Sequence, residues 1–272
     1  MNAMKKETFR FKKEMGQNFL TDPALIERLA DASLVTPEDG VLEIGPGRGA
    51  LTCTLACRCR KLIAVELDRT LLSDLRATLA LYPNASLVQG DILRQDIPAL
   101  VDALSQPCRI VANLPYNITS PVLRKLLTLR LPVRSLAVMV QKEVGEKMLA
   151  QPGEEGYGPF SLLCQYFAQI SKQLDVAAEY FTPRPKVDSS FMLLVLRERP
   201  PVAVPDEEAL WRMVHHCFAM RRKTLFNNLC AGLSVSREEA LALLQACGIS
   251  PQQRAQQLTL EQFAALAREW SK

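Results

Sequence analysis

The feature that most constrains this chain is an alternation of short apolar runs with helical patterns between residues 41 and 196. Val41-Leu42-Glu43-Ile44, 61–66, 86–89, 109–112, 136–140 and 190–196 each read as a strand. The segments 51–57, 69–81, 96–105, 121–128, 143–150 and 161–170 carry helical spacing, with the 96–105 helix broken near Pro98. Near-continuous apolar strands separated by helices can bury both faces only in a mostly parallel sheet with helices on each side. Ligands on such sheets bind beyond the carboxyl ends of the strands. A further helix over 22–35 precedes the first strand, with Asp22 as N-cap and Pro23 at the first helical position.

After the last strand the pattern changes. Residues 197–208 are rich in proline and charge and read as a linker. The remainder is helical throughout: 209–219, 223–230, 237–247 and 259–270, with Ser236 and Glu239 forming a capping box and Gly248 a stop. The expected architecture is an α/β domain over 1–200 and a small all-helical domain over 201–272. The 272 residues suit that division, and a hydrophobic content of 48% supplies both cores.

Several function classes drop out early. No apolar run reaches the roughly 20 residues of a membrane span. The basic start, residues 1–13, lacks the apolar stretch of a secretory signal, so the cytoplasm is expected. The eight cysteines include a cluster at Cys53, Cys57 and Cys59, but no C-x-x-C and no Cys/His spacing of a zinc site, so no metal is expected. The only histidines, His215 and His216, fall on an expected helix far from the motifs below, which disfavours His-based catalysis.

The strand ends carry the chemistry. Glu43-Ile44-Gly45-Pro46-Gly47-Arg48-Gly49 follows the first strand and opens a helix. A dinucleotide site would want G-x-G-x-x-G and a pyrophosphate at the helix start. Here the spacing is G-x-G-x-G and Glu43 stands beside it, which suits a cationic ligand such as S-adenosylmethionine. Glu66 ends the second strand, 21 residues after Gly45, where an acid can accept both ribose hydroxyls. Asp91, after the third strand, can accept the adenine amine of the cofactor. Glycine turns with surface acids would explain each piece singly; three successive strand ends in register favour a cofactor site.

Asn113-Leu114-Pro115-Tyr116 follows the fourth strand. The Asn113 side-chain oxygen and the Leu114 carbonyl can accept the two hydrogens of an exocyclic adenine amine. They would orient that amine and stabilise the charge developing on it. Tyr116 can stack on a base splayed out of RNA. Before the last strand, Phe181 offers a second stacking face, and Arg184 and Lys186 offer phosphate contacts. A strand-end turn with a core Tyr, and a core Phe beside solvated charges, are the structural alternatives.

Taken together, Met15 to Leu20, the glycine loop, Glu66, Gly90-Asp91, Asn113 to Tyr116 and Phe181 to Ser190 resemble the ribosomal RNA adenine dimethyltransferases. Within them the chain is similar to the bacterial small-subunit enzymes, the KsgA/RsmA family. The resemblance runs over essentially the whole chain. It implies a Rossmann-like S-adenosylmethionine methyltransferase sheet. It also implies N6,N6-dimethylation of two adjacent adenosines in the 3′-terminal hairpin loop of 16S ribosomal RNA, late in small-subunit assembly. The expected partner is that RNA in the immature subunit, and a monomer is expected although the sequence does not reveal the oligomeric state. By family pattern Asn18, Leu20, Gly45, Glu66, Asp91 and Asn113 contact the cofactor, and Tyr116 and Phe181 hold the target base. The cysteine cluster is no part of that pattern.

Resistance enzymes that modify large-subunit RNA share most of these motifs. Leu114, where they usually carry Ile or a similar residue, and Phe218 to Leu225 argue for the small-subunit group, which makes Arg221, Arg222 and Lys223 RNA contacts. Charge placement agrees with a polyanionic partner. Residues 1–20 carry five basic residues against Glu7 and Glu14, residues 209–272 carry eight against four acids, and the stretch between is net acidic. Solvated helix faces would give the same tally. A ribosome assembly factor that keeps the scaffold without catalysis is the third reading, and the intact Asn113 and Tyr116 speak against it.

Overall fold

The computed structural model describes residues 17–233 and 235–271. Met15, Gly16 and the basic residues of the N-terminal segment lie outside these. Strand β1 (Phe19–Leu20) leads into α1 (Pro23–Ala32), β2 (Gly40–Ile44), α2 (Ala50–Ala56), β3 (Lys61–Glu66), α3 (Leu72–Leu79) and β4 (Ala85–Gln89). Then come α4 (Ile97–Asp102), β5 (Cys108–Asn113), α5 (Thr119–Thr128), β6 (Val133–Gln141), α6 (Lys142–Leu149), α7 (Pro159–Phe167), β7 (Ala168–Val176), β8 (Phe181–Thr182) and β9 (Ser189–Leu196). Four helices complete the chain: α8 (Glu207–Phe218), α9 (Leu225–Gly232), α10 (Arg237–Ala246) and α11 (Leu260–Trp270). None of the described helices is long and apolar enough to cross a membrane.

Seven strands form one sheet in the order β4-β3-β2-β5-β6-β9-β7, and its β2–β3, β2–β5, β3–β4 and β5–β6 pairs are parallel. The central strands read as unbroken apolar runs because both faces are covered. Val41, Ala64, Val111 and Ala137 pack with Leu25 and Leu29 of α1 and Leu55 of α2 in one core cluster. The order runs outward from β2 on both sides. The chain therefore reverses direction across the sheet between β2 and β5, which is where such sheets open a crevice.

Two segments differ from expectation. The spacing predicts a helix over 161–170, but α7 ends at Phe167 and Ala168–Val176 is the strand β7. There Ala168, Ile170, Leu174 and Val176 alternate with exposed polar residues, except at Lys172, which is exposed at the inward parity. β7 is an edge strand with one face buried, so its period is two and its apolar content low. β1 and β8 form an antiparallel pair, Phe19 opposite Thr182 and Leu20 opposite Phe181. Two-residue strands show no periodicity, so no pattern announces them.

The chain divides into two compact units. One runs to Lys142 and takes in Lys172–Leu193; the other joins Glu143–Ser171 to Leu194–Lys272. Residue 200, the boundary expected from the linker, thus falls inside the second unit. Aromatic packing explains the grouping. Tyr157, Leu162 and Tyr166 share a core with Leu210, Met213, Leu258 and Phe263. The Tyr166 and Trp211 rings meet edge-on at 5.2 Å, and the buried Tyr157 hydroxyl donates to the Leu258 carbonyl at 2.8 Å. A linear reading cannot see that a segment inside the α/β pattern carries the apolar face of the helical unit.

Candidate cofactor and catalytic cleft

The parallel register brings the motifs to one edge. Ile44 lies opposite both Val65 and Ala112, and Glu66 lies opposite Gln89. The residues that leave β2, β3, β4 and β5 therefore emerge side by side. They line a single cleft of about 1020 Å³, counting its open mouth. Gly45, Glu66, Asp91, Asn113, Leu114 and Tyr116, singled out by their places after the strands, all line it, and so do Asn18 and Leu20, which entered only through the family resemblance.

The glycine loop is built by backbone angles that side chains disfavour. Gly45, Gly47 and Gly49 have φ of 72°, 60° and 83°. Space restricts Gly47 as well, since a Cβ there would come within 2.8 Å of the Phe19 ring. The loop's backbone also reaches the second strand, for the Gly47 N–H donates to Glu66 Oε2 at 3.1 Å. Phe19 is held in turn by the Arg48 guanidinium, 5.5 Å from its ring centre.

Three acids set the electrostatics. Glu43 is 2% exposed, and among the described residues its Oε2 has no hydrogen-bond partner. Burial pushes its carboxyl up to about 8, and repulsion from Glu66 adds a smaller push. The Thr52 hydroxyl offsets part of the rise without reaching hydrogen-bonding geometry. An orphaned carboxyl oxygen on a cleft wall costs stability and is matched by a cationic or donor-bearing ligand. Burial also raises the pKa of Glu66. Its Oε1 accepts the Asp68 N–H at 2.8 Å and its Oε2 the Gly47 N–H, so each oxygen keeps one lone pair for a ligand. Asp91 Oδ1 accepts the Leu93 N–H at 2.9 Å, while Oδ2 forms an ion pair with the exposed Arg94 at 3.7 Å, too long for a hydrogen bond.

At the end of β5, the Asn113 side-chain nitrogen donates to the Asn18 carbonyl at 3.2 Å. That bond assigns the two ends of the amide and leaves Oδ1 as the acceptor. Leu114 is anchored by a buried side chain, and Pro115 has no N–H to offer. The Tyr116 hydroxyl lies 2.7 Å from Ser189 Oγ, and burial raises its pKa, so the phenol is neutral at physiological pH.

Phe181 departs from its expected place. It is 2% exposed, lies in the core with Val176 and Phe191, and does not line the cleft. Strand alternation gives the reason: in β8 Phe181 turns inward and Thr182 outward. Arg184 and Lys186 are exposed on the loop after β8. On the second unit Arg221, Arg222 and Lys223 are exposed in the turn between α8 and α9. The buried Asn228 braces that turn, accepting the Met220 N–H at 2.9 Å and donating to the Met220 and Thr224 carbonyls at 3.2 Å each.

Phe19, Arg48, Leu67, Ile92 and Ile118 also line the cleft, although no spacing rule singled them out. A signal exists for two of them: Leu67 and Ile92 each follow a strand-end acid, and Leu67 is a 48% exposed leucine. Among the described residues no three His, Cys, Asp or Glu side chains gather as a metal site.

With that geometry in view, comparison with known proteins is direct. The model of the family described as ribosomal RNA adenine dimethylase matches residues 8–272. A ribosomal RNA small subunit methyltransferase A from Shouchella clausii is 42% identical over 270 residues, which cover 97% of this chain and 91% of that one. A dimethyladenosine transferase from Plasmodium falciparum shares the fold, with a TM-score of 0.80 at 24% identity over 93% of this chain and 97% of its own. The 23S rRNA methyltransferase ErmE gives a TM-score of 0.72 at 28% identity, covering 94% of this chain and 100% of its own. A cleft built at four parallel strand ends and a family match across both units converge on one assignment: the chain belongs to the ribosomal RNA adenine dimethylase family.

Proposed function

We propose that this protein dimethylates the N6 amines of adenosines in small-subunit ribosomal RNA, with S-adenosylmethionine as methyl donor. One observation carries the reading: Asn113 to Tyr116 and the Gly45, Glu66 and Asp91 set form the walls of the same cleft. The family match and the 42% identity to a small-subunit methyltransferase support the substrate class. The finer assignment is to two adjacent adenosines of the 3′-terminal hairpin of 16S ribosomal RNA, in an immature subunit in the cytoplasm, by a monomer.

The residues present fit that cofactor. S-adenosylmethionine would supply a methyl group activated by a sulfonium. Glu66 has an acceptor on each carboxylate oxygen for ribose hydroxyls, and Asp91 Oδ2 suits an adenine amine. Glu43 offers the orphaned oxygen next to the glycine loop, where a cation is favoured. Asn18, Leu20 and Gly45 complete the wall on either side of it.

Asn113 Oδ1 and the Leu114 carbonyl then accept the two hydrogens of the target amine. This directs the nitrogen lone pair and stabilises positive charge as it builds there, an effect of about 3 kcal/mol per donor or acceptor in comparable sites. Tyr116 contributes a stacking face worth about 1–3 kcal/mol. Phe181 enters only if β8 exposes it. Arg184, Lys186, Arg221, Arg222 and Lys223 supply phosphate contacts.

Incubating the protein with labelled S-adenosylmethionine and small subunits from an unmethylated strain should yield dimethyladenosine. Absence of product where a related enzyme succeeds would reject the function. The structural likeness to a 23S rRNA methyltransferase keeps a large-subunit substrate as the second reading. Label appearing in large-subunit RNA, with macrolide resistance on expression, would select it. An Asn113→Ala variant should lose methyl transfer and keep subunit binding. If it kept full activity, the charge-stabilising role would be wrong.

A further inference from the structure

The segment that carries Asp91 is held by a side chain from elsewhere in the unit. After β4 the chain makes a tight turn in which Asp91 receives the Leu93 N–H on its side chain, and the Arg94 and Gln95 N–H groups on its carbonyl at 2.8 and 3.0 Å. A turn that closes its N–H groups inward leaves its carbonyls pointing out. Three of them point at one group: Lys125 Nζ donates to the Leu93 carbonyl at 2.8 Å, the Gln95 carbonyl at 3.0 Å and the Ile92 carbonyl at 3.3 Å. An ammonium has three N–H donors and no acceptor, so its hydrogen-bonding capacity is filled by this one turn. Lys125 sits in the last turn of α5, where the helix dipole also favours a cation.

The placement has a consequence for the cleft. Asp91 and Ile92 line it from one side. α5 is the helix directly after Asn113 to Tyr116, which line it from the other. A half-buried lysine therefore ties the two walls, although it does not line the cleft itself.

We propose that Lys125 is a positioning residue for the cofactor site, presetting the Asp91–Gln95 turn so that Asp91 Oδ2 and Ile92 face the ligand before it arrives. This rests on the reading of the cleft as an S-adenosylmethionine site. Without the ammonium the turn keeps its own N–H bonds to Asp91 but loses the side chain that holds the Ile92, Leu93 and Gln95 carbonyls, and ordering it would be charged against each binding event.

The test is a double-mutant cycle on S-adenosylmethionine affinity, read by calorimetry on the full-length protein well below its melting temperature. Lys125→Met keeps the aliphatic stem and removes all three donors; it should raise Kd about tenfold, the lower end of what removing a group that orients a metal ligand does to metal affinity. Lys125→Arg, which keeps cation and donors, should restore most of that affinity. In an Asp91→Ala background the Lys125→Met effect should shrink to the part that acts through Ile92, because the Asp91 contact is shared by the two changes. Amide hydrogen exchange at Leu93, Arg94 and Gln95 should speed up in Lys125→Met without ligand. Lys125→Gln, with one donor left, serves the same cycle if the methionine variant does not fold. A Kd unchanged in Lys125→Met while Asp91→Ala weakens binding would overturn the proposal, as would full additivity of the two changes. A Kd unchanged in Asp91→Ala itself would instead reject the assignment of Asp91 to the cofactor.

Discussion

Glu43 offers the sharpest test of how this cleft is poised. Its carboxyl is 2% exposed and pushed up to about 8, from an ordinary value of 4.5. That difference corresponds to about 5 kcal/mol against the ionised form in the folded protein. The sign comes from linkage. A carboxyl whose folded pKa is raised is neutral without penalty below pH 4.5, where the contribution to stability is fully present. Between pH 4.5 and about 8 the unfolded chain has lost the proton that the folded chain keeps, so stability falls by about 1.4 kcal/mol per pH unit. Glu43→Gln has the same shape and no proton to lose. Urea unfolding of both proteins at several pH values from about 5 to 8 should show the variant gaining on the wild type steadily, by about 4 kcal/mol across that range. A cationic cofactor should reverse the trend, since it favours the carboxylate. Binding of S-adenosylmethionine to the wild type near neutral pH should release a proton, visible as a calorimetric heat that varies with buffer, and the Gln variant should release none from this site. A stability difference that does not change with pH would refute the argument, because it would mean that Glu43 ionises in the folded state as it does in the unfolded one.

Further outcomes are expected from the same structure. Gly47→Ala combines a φ of 60° with a Cβ 2.8 Å from the Phe19 ring, and should cost about 1–2 kcal/mol from the backbone alone while weakening cofactor affinity measured by calorimetry. Phe181→Ala should lower the melting temperature through a core loss of about 3–5 kcal/mol. Phe181→Leu should be tolerated with full methylation rate, whereas a rate loss on RNA without a stability loss would place the ring against the target base. Replacing both Arg221 and Arg222 with Ala should leave cofactor affinity unchanged and flatten the salt dependence of RNA binding by roughly 0.7–0.9 log units for each phosphate no longer neutralised; an unchanged slope would remove these residues from the interface.

The sequence alone determined the parallel sheet and the place of the cleft. Strands covered on both faces must be apolar throughout, so β2, β3, β5 and β6 are visible as runs, and ligand chemistry on such a sheet is confined to the strand ends. Gly45, Glu66, Asp91 and Asn113 are legible because each stands at or just after the end of its own strand. Tertiary structure decided everything that depends on partners distant in sequence. β7 is an edge strand whose alternation resembles a helix end, and β1 and β8 exist only as each other's partner. Their pairing turns Phe181 into the core, a matter of strand parity that residue type does not reveal. The grouping of 143–171 with the C-terminal helices rests on Tyr157 and Tyr166 packing against residues of α8 and α11. The same is true of Lys125, which reads as an ordinary charge late in an amphipathic helix. Only the folded turn at 91–95, with three carbonyls aimed at one point, gives that charge a role.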